Sequence, residues 1–165
     1  MKMAYSASQA VYLRMGKSDR DTVHKEPIAA QSPQLLNLKI GSSGGVAFIA
    51  TGSMTRTALD IANASYPDSA VWSVPFIKPI DEQQLSQICQ NSQTVVTLEE
   101  HSVHGGLGSL VAEVSTAHAP VRILRIGVKD RFSEHCGTYD YLLREHGIDR
   151  ATIEQRITDF LASKN

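Results

Sequence analysis

The sequence predicts an open three-layer α/β/α sandwich built on a mostly parallel sheet. Two observations carry this. Short apolar runs alternate with stretches of helical period, and the connections between them are only a few residues long. Strand–helix–strand units of that kind imply right-handed crossovers between parallel strands. A third observation sets the layers: the strands are apolar nearly throughout, so helices must cover both faces of the sheet.

The elements follow in chain order. Val46–Ala50 (VAFIA) reads as a buried strand, and Thr51–Gly52 turn the chain toward Ser53, a good N-cap residue. Behind it Met54, Ala58, Ile61 and Ala62 recur at helical spacing. Ala70–Val74 (AVWSV) is a second strand. Asp81 with Gln84 resembles a capping box before Leu85, Ile88 and Cys89, which share one helical face. Thr94–Leu98 (TVVTL) is a third strand, followed by Leu107, Leu110, Val111 and Val114 at i, i+3, i+4 and i+7. Val121–Ile126 (VRILRI) is a fourth. Two helices close the chain. Tyr139, Leu142 and Leu143 face inward from the first, which Gly147 is placed to end. Asp149 can cap the second, lined by Ile153, Ile157, Phe160 and Leu161.

The first third of the chain is different. Val11–Met15 is predicted to form a short strand, Gly16–Glu26 is polar and turn-like, and Gly41–Gly45 (GSSGG) is the most flexible run. Residues 1–34 are read as a mostly extended arm or linker, and residues 35–165 as the compact domain.

Composition narrows the class of protein. At 165 residues the chain can bury a sizeable core, about 70% of its unfolded surface. With 16 basic and 17 acidic residues well mixed, no basic stripe marks it for nucleic acid or an anionic membrane. No apolar run is long enough to span a bilayer, and Met1–Met15 lacks a secretory apolar core. Cys89 and Cys136 are too few for a disulfide framework. The expected location is the cytoplasm.

The richest stretch for chemistry is Thr97–Gly108 (TLEEHSVHGGLG), which leaves a strand and opens a helix. In an open α/β sheet that edge is where ligands and partners sit. Free N–H groups and the helix dipole there favour an anion. Gly105, Gly106 and Gly108 read chiefly as residues of a tight turn and close packing, with a bound phosphate or carboxylate as the rival reading. A dinucleotide is disfavoured, because Val111 stands where the third glycine of that fingerprint belongs. Glu99 and Glu100, adjacent on a strand, point to opposite faces and cannot act as a carboxylate pair. His101 and His104 form H-x-x-H in what is expected to be a loop, with no third ligand at a recognisable spacing. His135 and Cys136, beside Gly137, are a candidate reactive pair without an orienting partner, and the favoured reading of Cys136 is a buried or half-buried loop thiol. Arg14 and Lys17 are candidates for holding a substrate phosphate.

Four motifs in register say more than periodicity. I-A-T-G-S-M (49–54), T-L-E-E-H-S-V-x-G-G-L-G-S-L-V-A-E (97–113), R-I-G-V-K-D-R-F (125–132) and Y-L-L-R-E-H-G-I (141–148) resemble the C-terminal domain of transketolases. The likeness runs from about Gly45 to the end. It extends to 1-deoxyxylulose-5-phosphate synthase and the beta subunits of 2-oxo-acid dehydrogenases, and E-E-H with V-K-D-R-F looks nearest to transketolase, especially its split, two-subunit form. Val11–Lys17 resembles the closing strand of the family's preceding pyrimidine-binding domain.

The resemblance implies an enzyme that moves two-carbon ketol units between sugar phosphates with thiamine diphosphate and a divalent metal. It also implies that this chain holds neither: the G-D-G…N metal–diphosphate motif is absent from it. Of the family's substrate-binding set only a basic position at Lys17, beside Arg14, carries over, and lysine there lacks the bidentate grip of arginine. The implied role is assembly and support of a homo-oligomeric dimer, inactive without the thiamine-binding domains or subunit. Glu100, His101, Gly105, Gly106 and Gly108 are then an interface or anion-binding corner. A free-standing dimerisation or anion-binding module is the rival.

Overall fold

The computed structural model describes residues 2–15, 22–24 and 33–163. Five strands form one sheet in the order β1-β3-β2-β4-β5: β1 (Leu36–Lys39), β2 (Gly45–Ala50), β3 (Ala70–Ser73), β4 (Ser92–Ser102) and β5 (Arg122–Val128). β2, β3, β4 and β5 run parallel, while β1 lies antiparallel on the β3 edge, Leu36 opposite Ser73. The mostly parallel sandwich is therefore as predicted, with an antiparallel edge strand that the sequence did not announce.

A short helix α1 (Lys2–Ser6) lies in the arm. The remaining helices divide between the faces as the strand alternation requires. Phe48, Ala50, Val96, Leu98 and Ile126 meet α2 (Met54–Ser65), α5 (Tyr139–Glu145) and α6 (Arg150–Ala162) through Met54, Ile61, Leu143, Ile153 and Ile157. Ala47, Ile49 and Val95 meet α3 (Glu82–Gln90) and α4 (Leu107–His118) through Leu85, Ile88, Leu107, Val111 and Val114. Side chains one residue apart on a strand thus enter different cores.

The helix ends mix expected and unexpected chemistry. Asp81 accepts from the Gln84 N–H and Asp149 from the Thr152 N–H, as N-caps do. The second half of the capping box does not form. Gln84 instead binds the backbone of Leu35 at both its N–H (2.7 Å) and its carbonyl (2.9 Å), clamping the entry to β1. Ser53 precedes α2 without a side-chain cap, being turned toward Tyr139. Gly147, at φ +63°, closes α5: its N–H reaches Arg144 O and that of Ile148 reaches Leu143 O, a Schellman pair. Val11–Met15 is not a strand; it is irregular and exposed, and among the described residues no strand pairs with it. Phe160 is half-buried under Arg122, 4.6 Å from ring centroid to guanidinium, while Leu161 is exposed.

Candidate functional site at the carboxyl edge

The chain goes from β2 outward to β3, then crosses back over β2 to β4. The carboxyl ends of β2 and β4 therefore flank a topological switch point, the place where open α/β sheets hold ligands. Here the protein's own side chains fill both sides of it.

On the α4 side sits Glu99, 1% exposed. Its Oε2 accepts from the Leu107 N–H and its Oε1 from the Gly108 N–H, both at 2.8 Å. A negative charge on the first free N–H groups of a helix is the arrangement an anion-binding helix start provides. In this chain the Glu99 carboxylate takes the place that the rival reading gave to an external phosphate or carboxylate, and the close packing at Gly106 and Gly108 follows the main reading of those glycines. The glycines make room for it. A Cβ at Gly106 would overlap Glu99 Oε2, one at Gly108 would lie 2.8 Å from Thr97 Oγ1, and one at Gly127 would lie 3.1 Å from Glu99 Cγ. Gly105 takes φ +75° in the turn before the helix.

On the opposite face Glu100 is half-buried, and its Oε1 accepts from the hydroxyl of Tyr139, which also lies 3.2 Å from Ser53 Oγ. Three elements, β4, α5 and the start of α2, are joined by that one phenol. Thr51 completes the edge: its hydroxyl donates to Val74 O (2.9 Å) and its N–H to Leu98 O (3.2 Å). The two carboxylates do diverge across the sheet, as strand alternation predicts.

His101 is on β4, not in a loop, because the strand continues to Ser102 before turning. Burial lowers its pKa first and Arg14 adds to that, against the opposing pull of Glu99 and Glu100. Arg14 is exposed and near enough to act on His101 electrostatically; Lys17 lies outside the described residues. His104 is exposed in the turn, its N–H bonded to Ser102 Oγ. Cys136 is exposed instead of buried or half-buried, because no residue of the 129–138 loop that carries it packs into either core. Cys89 is buried between α3 and α4, and that burial pushes its thiol pKa up.

The sequence missed Tyr139, Ser53 and Gly127 as members of this edge. In the sequence Tyr139 shows only an apolar ring at helical spacing, and its hydroxyl's partner is 39 residues away. Gly127 sits inside a strand, which in itself signals a close approach, here by the His101 carbonyl and Glu99.

Comparison with known proteins agrees with this architecture. The model of the family described as transketolase, C-terminal domain, matches residues 40–153. The 1-deoxy-D-xylulose-5-phosphate synthase of Mannheimia succiniciproducens is 33% identical over 141 residues, 81% of this chain and 22% of the relative. That of Thioalkalivibrio sulfidiphilus is 36% identical over 146 residues, 82% of this chain and 22% of the relative. The chain therefore spans about a fifth of the length of these relatives. A solved structure described as a split gene transketolase, inactive beta4 tetramer, superposes with a TM-score of 0.86 at 32% identity, covering 99% of this chain and 54% of that one. By fold, motif register and sequence, this chain belongs to the transketolase C-terminal domain family.

Proposed function

We propose that this chain is the assembly domain of a thiamine diphosphate-dependent, transketolase-like transferase, active only with domains or a subunit that hold the cofactor. The observation that carries this is the self-filled carboxyl edge. The helix start best suited to a diphosphate already holds Glu99 on both of its leading N–H groups. The residues described here do not fit thiamine diphosphate and its metal, and no chemical step is derived through them. The cofactor belongs to the rest of the assembled enzyme, as does the transfer of two-carbon ketol units between sugar phosphates.

Self-association is part of this reading, supported by the solved relative whose description is a tetramer of one kind of subunit. So is a cytoplasmic location, which suits two unpaired thiols. The corner at Glu100, His101 and the Gly105–Gly108 turn then serves contacts between domains, and Arg14 with Lys17 ends the preceding pyrimidine-binding domain. A 1-deoxyxylulose-5-phosphate synthase-like parent is the second reading, favoured by the curated relatives.

The test is calorimetric titration of this chain with thiamine diphosphate and magnesium, alone and with a subunit carrying the G-D-G…N motif. No heat of binding alone, and ketol transfer on mixing, is the expected result. Micromolar binding by the isolated chain would overturn the reading. Formation of 1-deoxyxylulose 5-phosphate by the mixture would select the second parent.

A further inference from the structure

The segment from Lys129 to Thr138 joins β5 to α5 and contains no helix or strand. It is nonetheless tied down. The Arg131 guanidinium donates to the Glu145 carbonyl, the Glu134 N–H donates to Glu145 Oε1 (2.6 Å), and Ser133 Oγ lies 2.8 Å from His146 Nε2. All three ties go to the end of α5, which the Gly147 closure and buried Leu143 fix to the core.

Phe132 stands in the middle of these tied residues and is 96% exposed. Burying a phenyl group contributes about 1.5–3 kcal/mol, so a loop free to choose would turn it inward. With residues 131, 133 and 134 all bound to α5, the backbone instead presents the ring to solvent. Tyr141, also exposed, lays its ring against Gly137 of the same loop. Around them Lys129, Asp130 and Glu134 are exposed, a rim of both signs. An aromatic anchor on a pre-ordered loop inside a charged rim has the anatomy of an interface centre, with little ordering left to do on binding.

We propose that Phe132 is the anchor by which one copy of this chain seats on a second copy, with the Lys129–Thr138 loop at the centre of the contact. This rests on the self-association proposed above. The mixed-sign rim favours a like partner: across a two-fold axis the same patch meets itself, and Lys129 of one copy can face Asp130 or Glu134 of the other.

Sedimentation velocity over a concentration series on the whole chain tests this, comparing wild type with Phe132→Glu, Phe132→Ala and the arm variant Tyr5→Glu. Self-association is expected to weaken at least about 30-fold in both Phe132 variants. Circular dichroism should be unchanged, since an exposed ring supports no core, and Tyr5→Glu should behave as wild type. An oligomer undisturbed by the Phe132 changes overturns the anchor while leaving self-association standing. An equal loss in Tyr5→Glu also overturns it, as a mere effect of added charge. A wild-type monomer at every concentration overturns the self-association reading itself.

Discussion

Glu99 and Glu100 are the same residue type, adjacent on one strand, and the fold treats them in opposite ways. Glu99 is sealed beneath α4 with both oxygens on backbone N–H groups, while Glu100 is half-buried and meets the hydroxyl of Tyr139. The first closes a helix end that would otherwise need an outside anion. The second links elements distant in sequence at an edge still reached by solvent. A buried carboxylate is tolerable only when hydrogen-bonded throughout, and a helix start supplies the donors at no further ordering cost. The difference teaches that Glu99 serves the packing of α4 against the sheet, whereas Glu100 keeps access to solvent.

The largest effect should come from the Glu99 side. Glu99→Ala removes two charge-assisted bonds and leaves two buried N–H groups without partners, so we expect a loss of about 4 kcal/mol in urea unfolding. Gly106→Ala should cost about 3 kcal/mol by expelling the same carboxylate. The pair sharpens the comparison, because with Glu99 already gone the new methyl group loses its main obstacle. Its cost should then fall by more than half, the remainder reflecting the Ser102 carbonyl 2.9 Å from the added Cβ. Additive losses would mean that Gly106 matters for its backbone and not for the carboxylate.

How far this edge was legible in the sequence depends on the range of each interaction. The opposite pointing of Glu99 and Glu100 follows from strand alternation, and the four parallel strands follow from apolar runs separated by helical periods. Both are local properties. That Glu99 would serve as the anion for α4 was within reach as well, eight and nine residues before its partners. The apolar run ends at Leu98, so periodicity alone stops the strand there, whereas β4 runs on to Ser102 and carries Glu99, Glu100 and His101 with it. The Tyr139–Glu100 contact and the Gln84 clamp on Leu35 span 39 and 49 residues, and no periodicity encodes such pairs. The antiparallel β1 is four residues long and follows a proline- and serine-bearing stretch, too short for alternation to register.

On the Glu100 side the expected losses are smaller. Tyr139→Phe keeps the ring that packs against the core and removes only the hydroxyl shared with Glu100 and Ser53. Because water can replace the phenol at a half-buried carboxylate, we expect about 1 kcal/mol in the same unfolding assay. A loss as large as that of Glu99→Ala would place the two carboxylates on equal footing and break the comparison.

The smallest effect falls on His101, two residues beyond Glu99 on β4. Its pKa is held below the ordinary 6.5 chiefly by burial, and next by Arg14, although Glu99 and Glu100 both pull the other way. Since the folded pKa is lower than the unfolded one, the unfolded chain binds the proton more readily. The resulting stability is present above about pH 6.5 and is lost as the pH falls through the folded value. His24 has the same sign, also from burial, so the wild-type slope alone does not isolate His101. His101→Gln should leave stability near pH 8 almost unchanged and flatten its decline toward about pH 5, by an amount that measures this one imidazole. A steeper decline in the variant would mean that protonated His101 is stabilised by the two glutamates, and that their charges, not burial, govern the corner.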